Sequence, residues 1–292
     1  MNIKRILPGI IIIVIINSCA VKKYTEEGND AYQAGDYDAA LESLEQVIEK
    51  RESNNKKAEA EIYYKAGLSA KELDQTSKAR RYLESAENLE FTSPELFASL
   101  ADIYKTIDNL SKEINVLEDY HEKYPEGDKI DAITVRLFET YVESENWELA
   151  VDLWSDLGDE AQDDIDLLTG YLIVNKNLEN EARSKELAEK ILKLDSDNIT
   201  ALEWLAEKYF WDAEDLYIEE MEAYEENRNW SQYRKLKKAL DKAYADFEKS
   251  RDYFLKLYEL DPKPEYAKFL GRAYTRLQEE DKAEYYYQKA EE

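Results

Sequence analysis

The sequence predicts an all-α protein built of tandem helix pairs, and three observations predict it. Small residues recur at Ala40, Ala79, Ala150, Ser184, Ser250 and Ala283, with Glu113 standing in the same series, at intervals of 39, 34, 37, 34, 66 and 33. A matching row precedes it at Gly28, Gly67, Ala101, Phe138, Gly170, Ala206 and Gly271. Around both rows apolar residues keep the three- and four-residue spacing of a buried helix stripe, with Tyr104, Tyr141, Ile173, Tyr209 and Tyr274 on the first helices and Leu83, Leu117, Trp154, Phe254 and Tyr287 on the second. Breaks fall at Pro94, Pro125 and Asp261-Pro262, each after a second helix, where a residue without an amide proton ends the element at little cost.

The terminal copies are the plainest. One reads Leu270-Gly271-Arg272-Ala273-Tyr274 followed by Ala283, Tyr287 and Ala290; the other reads Gly28-Asn29-Asp30-Ala31-Tyr32, then Gly35-Asp36-Tyr37, Ala40, Leu44 and Val47. Both resemble the tetratricopeptide repeat, whose two antiparallel helices bury their apolar faces only when neighbouring units stack. The resemblance covers residues 21–292 and implies a right-handed superhelical solenoid of about seven helix pairs. It also implies a small residue wherever the two helices of a unit cross. Glu113 and Phe138 depart from that pattern, so the third and fourth units are expected to be splayed or rotated.

At the N-terminus Lys4 and Arg5 precede an apolar run from Ile6 to Ile16 that ends at Asn17-Ser18-Cys19. A spanning helix needs about 20 apolar residues, so this order reads as a secretory signal. Ile16-Asn17-Ser18-Cys19 is similar to the lipobox of bacterial lipoproteins. The similarity implies a signal peptide over 1–18, a lipid on Cys19, and a tether over 19–27 merging into the first helix. It places the chain in the bacterial cell envelope, at the outer membrane. Cys19 is the single cysteine, so no disulfide can form within the chain.

Removal of residues 1–18 takes away Lys4 and Arg5 and leaves 37 basic against 66 acidic side chains, a formal charge of −29. Nucleic acid is excluded as a natural ligand, because affinity for it comes largely from cations neutralising phosphates. The charge favours solubility. Within this acidic chain the 66-residue interval marks about 32 extra residues in the sixth unit, with an inserted helical hairpin expected at about 212–240. Phe210, Ala213, Leu216, Tyr217, Met221 and Tyr224 carry the first helix onward, Asn227-Arg228-Asn229 reads as a turn, and Trp230, Tyr233, Leu236, Leu240, Tyr244 and Phe247 lead back. Trp230 and Tyr233 beside Arg228, Arg234, Lys235, Lys237 and Lys238 make its tip a candidate binding finger, since aromatics next to arginine dominate binding hot spots.

In the tetratricopeptide family the first helices line a concave groove that holds ligands. Carried over, that groove is expected at Tyr64, Leu68 and Lys71, Asp102 and Lys105, Val135, Glu139 and Val142, Tyr171 and Val174, and Phe210 and Trp211, with Glu203, Glu207, Arg272 and Arg276 beside the last. The clamp that chaperone-binding members use for a terminal carboxylate is incomplete, with Asn29 in place but Thr25 where a lysine would stand. His121 is the single histidine and lacks the partners of a triad or a metal cluster. Asp159 to Asp166 and Asp195-Ser196-Asp197 lack the glycine and closing glutamate of a calcium loop and read as helix caps. The expectation is a membrane-anchored, non-catalytic scaffold that binds partner proteins or peptides of the cell envelope, without cofactor or metal. The alternative is a surface lipoprotein that captures glycans, since some of those are built on such repeats.

Overall fold

The computed structural model describes the backbone of residues 9–159 and 161–291, with side chains from Ala20 onward. Residues 1–8 and the side chains up to Cys19, on which the secretion and lipid-attachment expectations rest, lie outside the described residues. Among the described residues there are fourteen α-helices and no strand, and no helix is long and apolar enough to cross a membrane. The chain forms two compact units, Met1–Thr140 and Tyr141–Glu292.

In the first unit α1 (Gly9–Gln33) packs on α2 (Tyr37–Glu52), α3 (Ala60–Glu72) on α4 (Thr76–Glu87) and α5 (Pro94–Thr106) on α6 (Leu110–Lys123). The helix α7 (Ile130–Glu143) carries the division between the units. The pairs close on one another because the crossing residues are small. A methyl group at Gly28 would lie 2.8 Å from Leu44 Cγ, and one at Gly67 would lie 2.6 Å from Leu83 Cγ. On the partner helices, Ala40 and Ala79 are fully buried. Pro94 is the first residue of α5, and the Ser93 hydroxyl before it accepts from the Leu96 amide. This is the arrangement in which the missing N–H is an orphan donor anyway.

Glu113 occupies a crossing position in α6 and is only 2% exposed. Its burial is balanced by Arg136 of α7, whose Nε and Nη2 donate to the two carboxylate oxygens at 2.6 and 3.1 Å. A buried carboxylate without such a partner would cost several kcal/mol, so the departure from the small-residue pattern is met by a two-bond ion pair. Phe138 is likewise buried.

In the second unit α8 (Trp147–Leu153) is short and gives way to 3-10 turns at Trp154–Asp156 and Ala161–Asp163. Trp154 stacks flat on Tyr171 at 4.0 Å between ring centroids. The pairs α9 (Ile165–Asn177) with α10 (Glu181–Leu194), α11 (Ile199–Glu226) with α12 (Trp230–Leu260), and α13 (Pro264–Arg276) with α14 (Glu280–Lys289) follow. Asp164 caps α9, accepting from the amides of Asp166 and Leu167. At α11 the cap is Asn198, while Asp197 instead pairs with Lys256 at 2.9 Å. The Ser250 hydroxyl donates to the Ala206 carbonyl at 2.8 Å, so the crossing of α11 and α12 is hydrogen-bonded as well as close. At 28 and 31 residues these two helices are two to three times the length of their neighbours α13 and α14, with 13 and 10.

A backbone device repeats through both units. Gly35, Asp74, Asp108, Glu145, Glu179 and Gln278 all adopt positive φ, between 55° and 75°. Each ends the first helix of a pair, and the next amide donates back to the helix, as Asn109 does to Tyr104 O and Asn180 to Asn175 O, both at 2.9 Å. Two residues thus reverse the chain and satisfy carbonyls that would otherwise be orphaned.

Candidate functional site

The residues expected to line a groove do not share one environment. Leu68, Tyr171, Val174 and Phe210 are buried, so they form core instead of presenting a surface. The reason is geometric: a first helix packs against its own partner and against the adjoining pair, so more than one of its faces is covered. Tyr64 is half-buried and stacks on Phe91 at 4.5 Å. Lys71 of α3 and Asp102 of α5 are joined at 2.7 Å, with Lys71 also 3.3 Å from the Ser99 hydroxyl. Lys65 likewise reaches Asn29 of α1 at 2.9 Å, so polar groups on successive first helices link neighbouring pairs. Lys105 is exposed, and Val135, Glu139 and Val142 are half-buried, with Glu139 held by Arg136 at 3.0 Å.

Trp211 behaves differently. It remains 44% exposed on α11, beside the buried Phe210 and within a cage of aromatic edges, 5.3 Å from Phe210 and 6.2 Å from Phe269 of α13. Arg272 lies over these rings, its guanidinium 4.9 Å from Trp211, 4.5 Å from Phe210 and 5.8 Å from Phe269. One helical turn on, Arg276 covers Tyr217 at 4.4 Å and donates from Nε and Nη2 to the Glu214 carboxylate at 2.8 and 2.6 Å. That hydrogen-bonded carboxylate pushes the Arg276 pKa up, so its charge is fixed. Arg272 approaches Glu214 only to 4.0 Å and makes no hydrogen bond among the described residues. A planar cation already held against rings, with its donors unspent, is arranged to take a carboxylate or carbonyl next to an exposed indole.

The groove carried over from the family includes Trp211, Arg272 and Arg276. It leaves out Phe269, Glu214 and Tyr217, which complete this face. Glu214 and Tyr217 share a helix face with Trp211 at three-residue steps, a signal readable in the sequence once α11 is taken as continuous.

At the far end of α11 and α12, Trp230 is 70% exposed and stacks on Tyr233 at 5.5 Å, and Tyr233 meets Tyr224 at 6.0 Å. Arg234, Lys237 and Lys238 are exposed along the same helix. His121 lies half-buried on α6. Among the described residues no group of three or more His, Cys, Asp or Glu side chains is placed to hold a metal ion.

No family model and no curated protein matches the sequence. Among solved structures the chain is similar to a candidate protein-binding protein from Bacteroides ovatus, with a TM-score of 0.53 and 19% identity over 76% of this chain and 99% of that one. It is also similar to the C-terminal part of a TPR repeat-containing protein from Cytophaga hutchinsonii (0.48, 13%, covering 91% and 93%). A tetratricopeptide repeat protein from Parabacteroides merdae gives 0.40 at 16%, covering 93% and 92%. Antiparallel helix pairs that cross at Gly28, Gly67 and Gly271, reverse through a positive-φ residue and stack with the second helix against the next first helix give this chain the tetratricopeptide-repeat fold.

Proposed function

We propose that the chain is a protein-interaction scaffold held at the bacterial cell envelope by a lipid on Cys19, and that its first-helix face at Trp211 and Arg272 binds a partner protein. One observation carries the binding part: an exposed tryptophan beside an arginine that is stacked but not hydrogen-bonded. Tryptophan and arginine are the residue types that anchor protein interfaces, because each brings a large rigid contact area at small entropic cost. The fold favours the same reading, since stacked repeats present extended surfaces. The Bacteroides ovatus protein of similar fold is itself named as a candidate protein-binding protein. The anchor rests on the sequence from Ile6 to Cys19 alone.

The test is a photo-reactive amino acid at position 211 in intact cells. A discrete adduct that disappears on Arg272→Ala is expected; no adduct, or one indifferent to Arg272, removes the site. In the same cells Cys19→Ala should move the protein from the membrane to the soluble fraction. Continued membrane association of that variant would remove the anchor.

A further inference from the structure

The outer halves of α11 and α12 divide their charge between them. From Asp212 to Glu226, α11 carries eight carboxylates and no cation, whereas from Arg228 to Lys242 the turn and α12 carry six cations and one carboxylate, Asp241. All six cations are exposed, and among the described residues none of them forms an ion pair. Elsewhere in this acidic chain many cations find carboxylates, as Lys65, Lys78, Lys112 and Lys208 do at 2.6 to 2.9 Å. A single unpaired lysine means little, since an exposed pair is worth at most about 1 kcal/mol. Six within fifteen residues, none of them ion-paired among the described residues, make a local positive strip. At its N-terminal end stand Trp230 and Tyr233, stacked on each other and open to solvent.

We infer that the outer face of α12 is a docking strip for an acidic helical segment of a partner protein, with Trp230 and Tyr233 receiving an apolar side chain at one end of that segment. The inference rests on the scaffold reading and names a second surface for it. Charge complementarity selects an acidic occupant, and the shape of the strip selects a narrow one. Five of the cations follow α12 from Arg234 to Lys242, and with Trp230 at its start the strip runs for about 18 Å at 1.5 Å per residue, the footprint of one helix lying alongside. Glu222, Glu225 and Glu226 are exposed near the same tip, on the adjoining helix. A flat anionic bilayer meeting the tip would face both rows and be repelled by one of them. A single helix covers the basic row alone, and the acidic row about 10 Å away is largely screened at physiological salt.

The test uses the full chain and a short fluorescein-labelled synthetic peptide with glutamates at three- and four-residue spacing and a leucine pair at one end. Fluorescence anisotropy should show binding that weakens with salt, falls by about tenfold or more in Lys237→Glu/Lys238→Glu and in Trp230→Ala, and is unchanged in Arg272→Ala. These side chains are exposed, so the variants keep their far-ultraviolet spectrum. Absence of peptide binding overturns the inference, as does binding indifferent to both tip variants. Binding of the tip to vesicles of phosphatidylcholine and phosphatidylglycerol in place of the peptide makes the occupant a membrane and also overturns it. So does sedimentation showing that a second copy of the chain fills the strip. Cross-linking from position 211 reads the other surface, so loss of the strip leaves the scaffold reading standing, and the reverse holds.

Discussion

Gly67 precedes Leu83 by the same 16 residues that separate Gly28 from Leu44 and Gly271 from Tyr287, and in all three a Cβ would come within 2.8 Å of the partner side chain. At Gly67 the added methyl would also lie 3.0 Å from the Leu83 backbone nitrogen, which leaves the helix little room to retreat. Inside a helix glycine ordinarily costs about 1 kcal/mol relative to alanine, so propensity alone says that Gly67→Ala should stabilise. The crossing contact is the larger effect. Gly67→Ala is expected to destabilise by about 1–3 kcal/mol in urea unfolding. Leu83→Ala should cost about 2–5 kcal/mol alone, and the double variant should lose less than the two together, because the shortened Leu83 side chain makes space. Strict additivity within about 0.5 kcal/mol would mean that the two residues do not compete for volume. This level of the fold was legible in the sequence, since a small residue at a fixed interval has no other economical reading. The reversing turns were not: Gly35 alone advertises positive φ, while Asp74, Asp108, Glu145, Glu179 and Gln278 adopt it with side chains that leave no such mark. Nor was Arg136 foreseeable as the partner of Glu113, because their separation of 23 positions follows no helical or repeat spacing.

Among elements, the first helices show where sequence reasoning by position runs out. A groove-facing assignment taken from the family put Leu68, Tyr171, Val174 and Phe210 on a surface, yet all four are packed away, while Trp211, one residue after Phe210, is open. A step of one residue turns the side chain by about 100°, so a small rotation of a helix decides between core and surface. The stripe of apolar spacing fixes that a helix is buried on one side, but its edges stay ambiguous. The long pair α11 and α12 illustrates the opposite case. Beyond Tyr217 on one helix and before Ala243 on the other, Leu236 alone is buried, so the outer arm adds little to the core of its unit. Deleting 219–225 together with 231–237 removes seven residues, close to two turns, from each helix and keeps the phase of what remains. It spares Ala213, buried in the core, and Glu214, which holds Arg276. The shortened protein is expected to unfold in urea within about 1 kcal/mol of the parent while losing the acidic-peptide binding assigned to α12. A loss of several kcal/mol would show that the arm is packed against the unit and is structural.

At the scale of the whole molecule the composition that stands out is tyrosine, with 23 in the chain, many set in the interfaces between helices. In the first unit burial pushes Tyr32 and Tyr82 up to about 12, helped at Tyr32 by the nearby Tyr64 hydroxyl and at Tyr82 by its hydrogen bond to Glu45, and Tyr104 rises further beside Glu84. In the second, burial and a hydrogen bond to Glu203 push Tyr266 up to about 12, and burial raises Tyr253, Tyr274 and Tyr286 as well. A tyrosine is neutral when protonated, so a folded-state pKa above the unfolded value of about 10 means that the fold prefers the protonated ring. The stability this represents is fully present below pH 10 and is lost as pH rises from 10 through about 12. Lys208 and Lys249 act with the same sign, since their carboxylate hydrogen bonds raise them above the ordinary lysine value and the charge that stabilises those pairs disappears over the same range. Each ionisation adds a negative charge to a chain already at −27, and self-repulsion then works against the compact state. Alkaline unfolding is therefore expected between pH 10 and 12, with tyrosinate absorbance at 295 nm rising together with the loss of helix ellipticity at 222 nm, and more steeply than a single-proton titration. Both units should show it, since each holds its own set of raised tyrosines. Gradual ionisation of most of the tyrosines near pH 10 with the helix signal intact would show that these rings are solvated, and that the interfaces between helices are looser than their geometry requires.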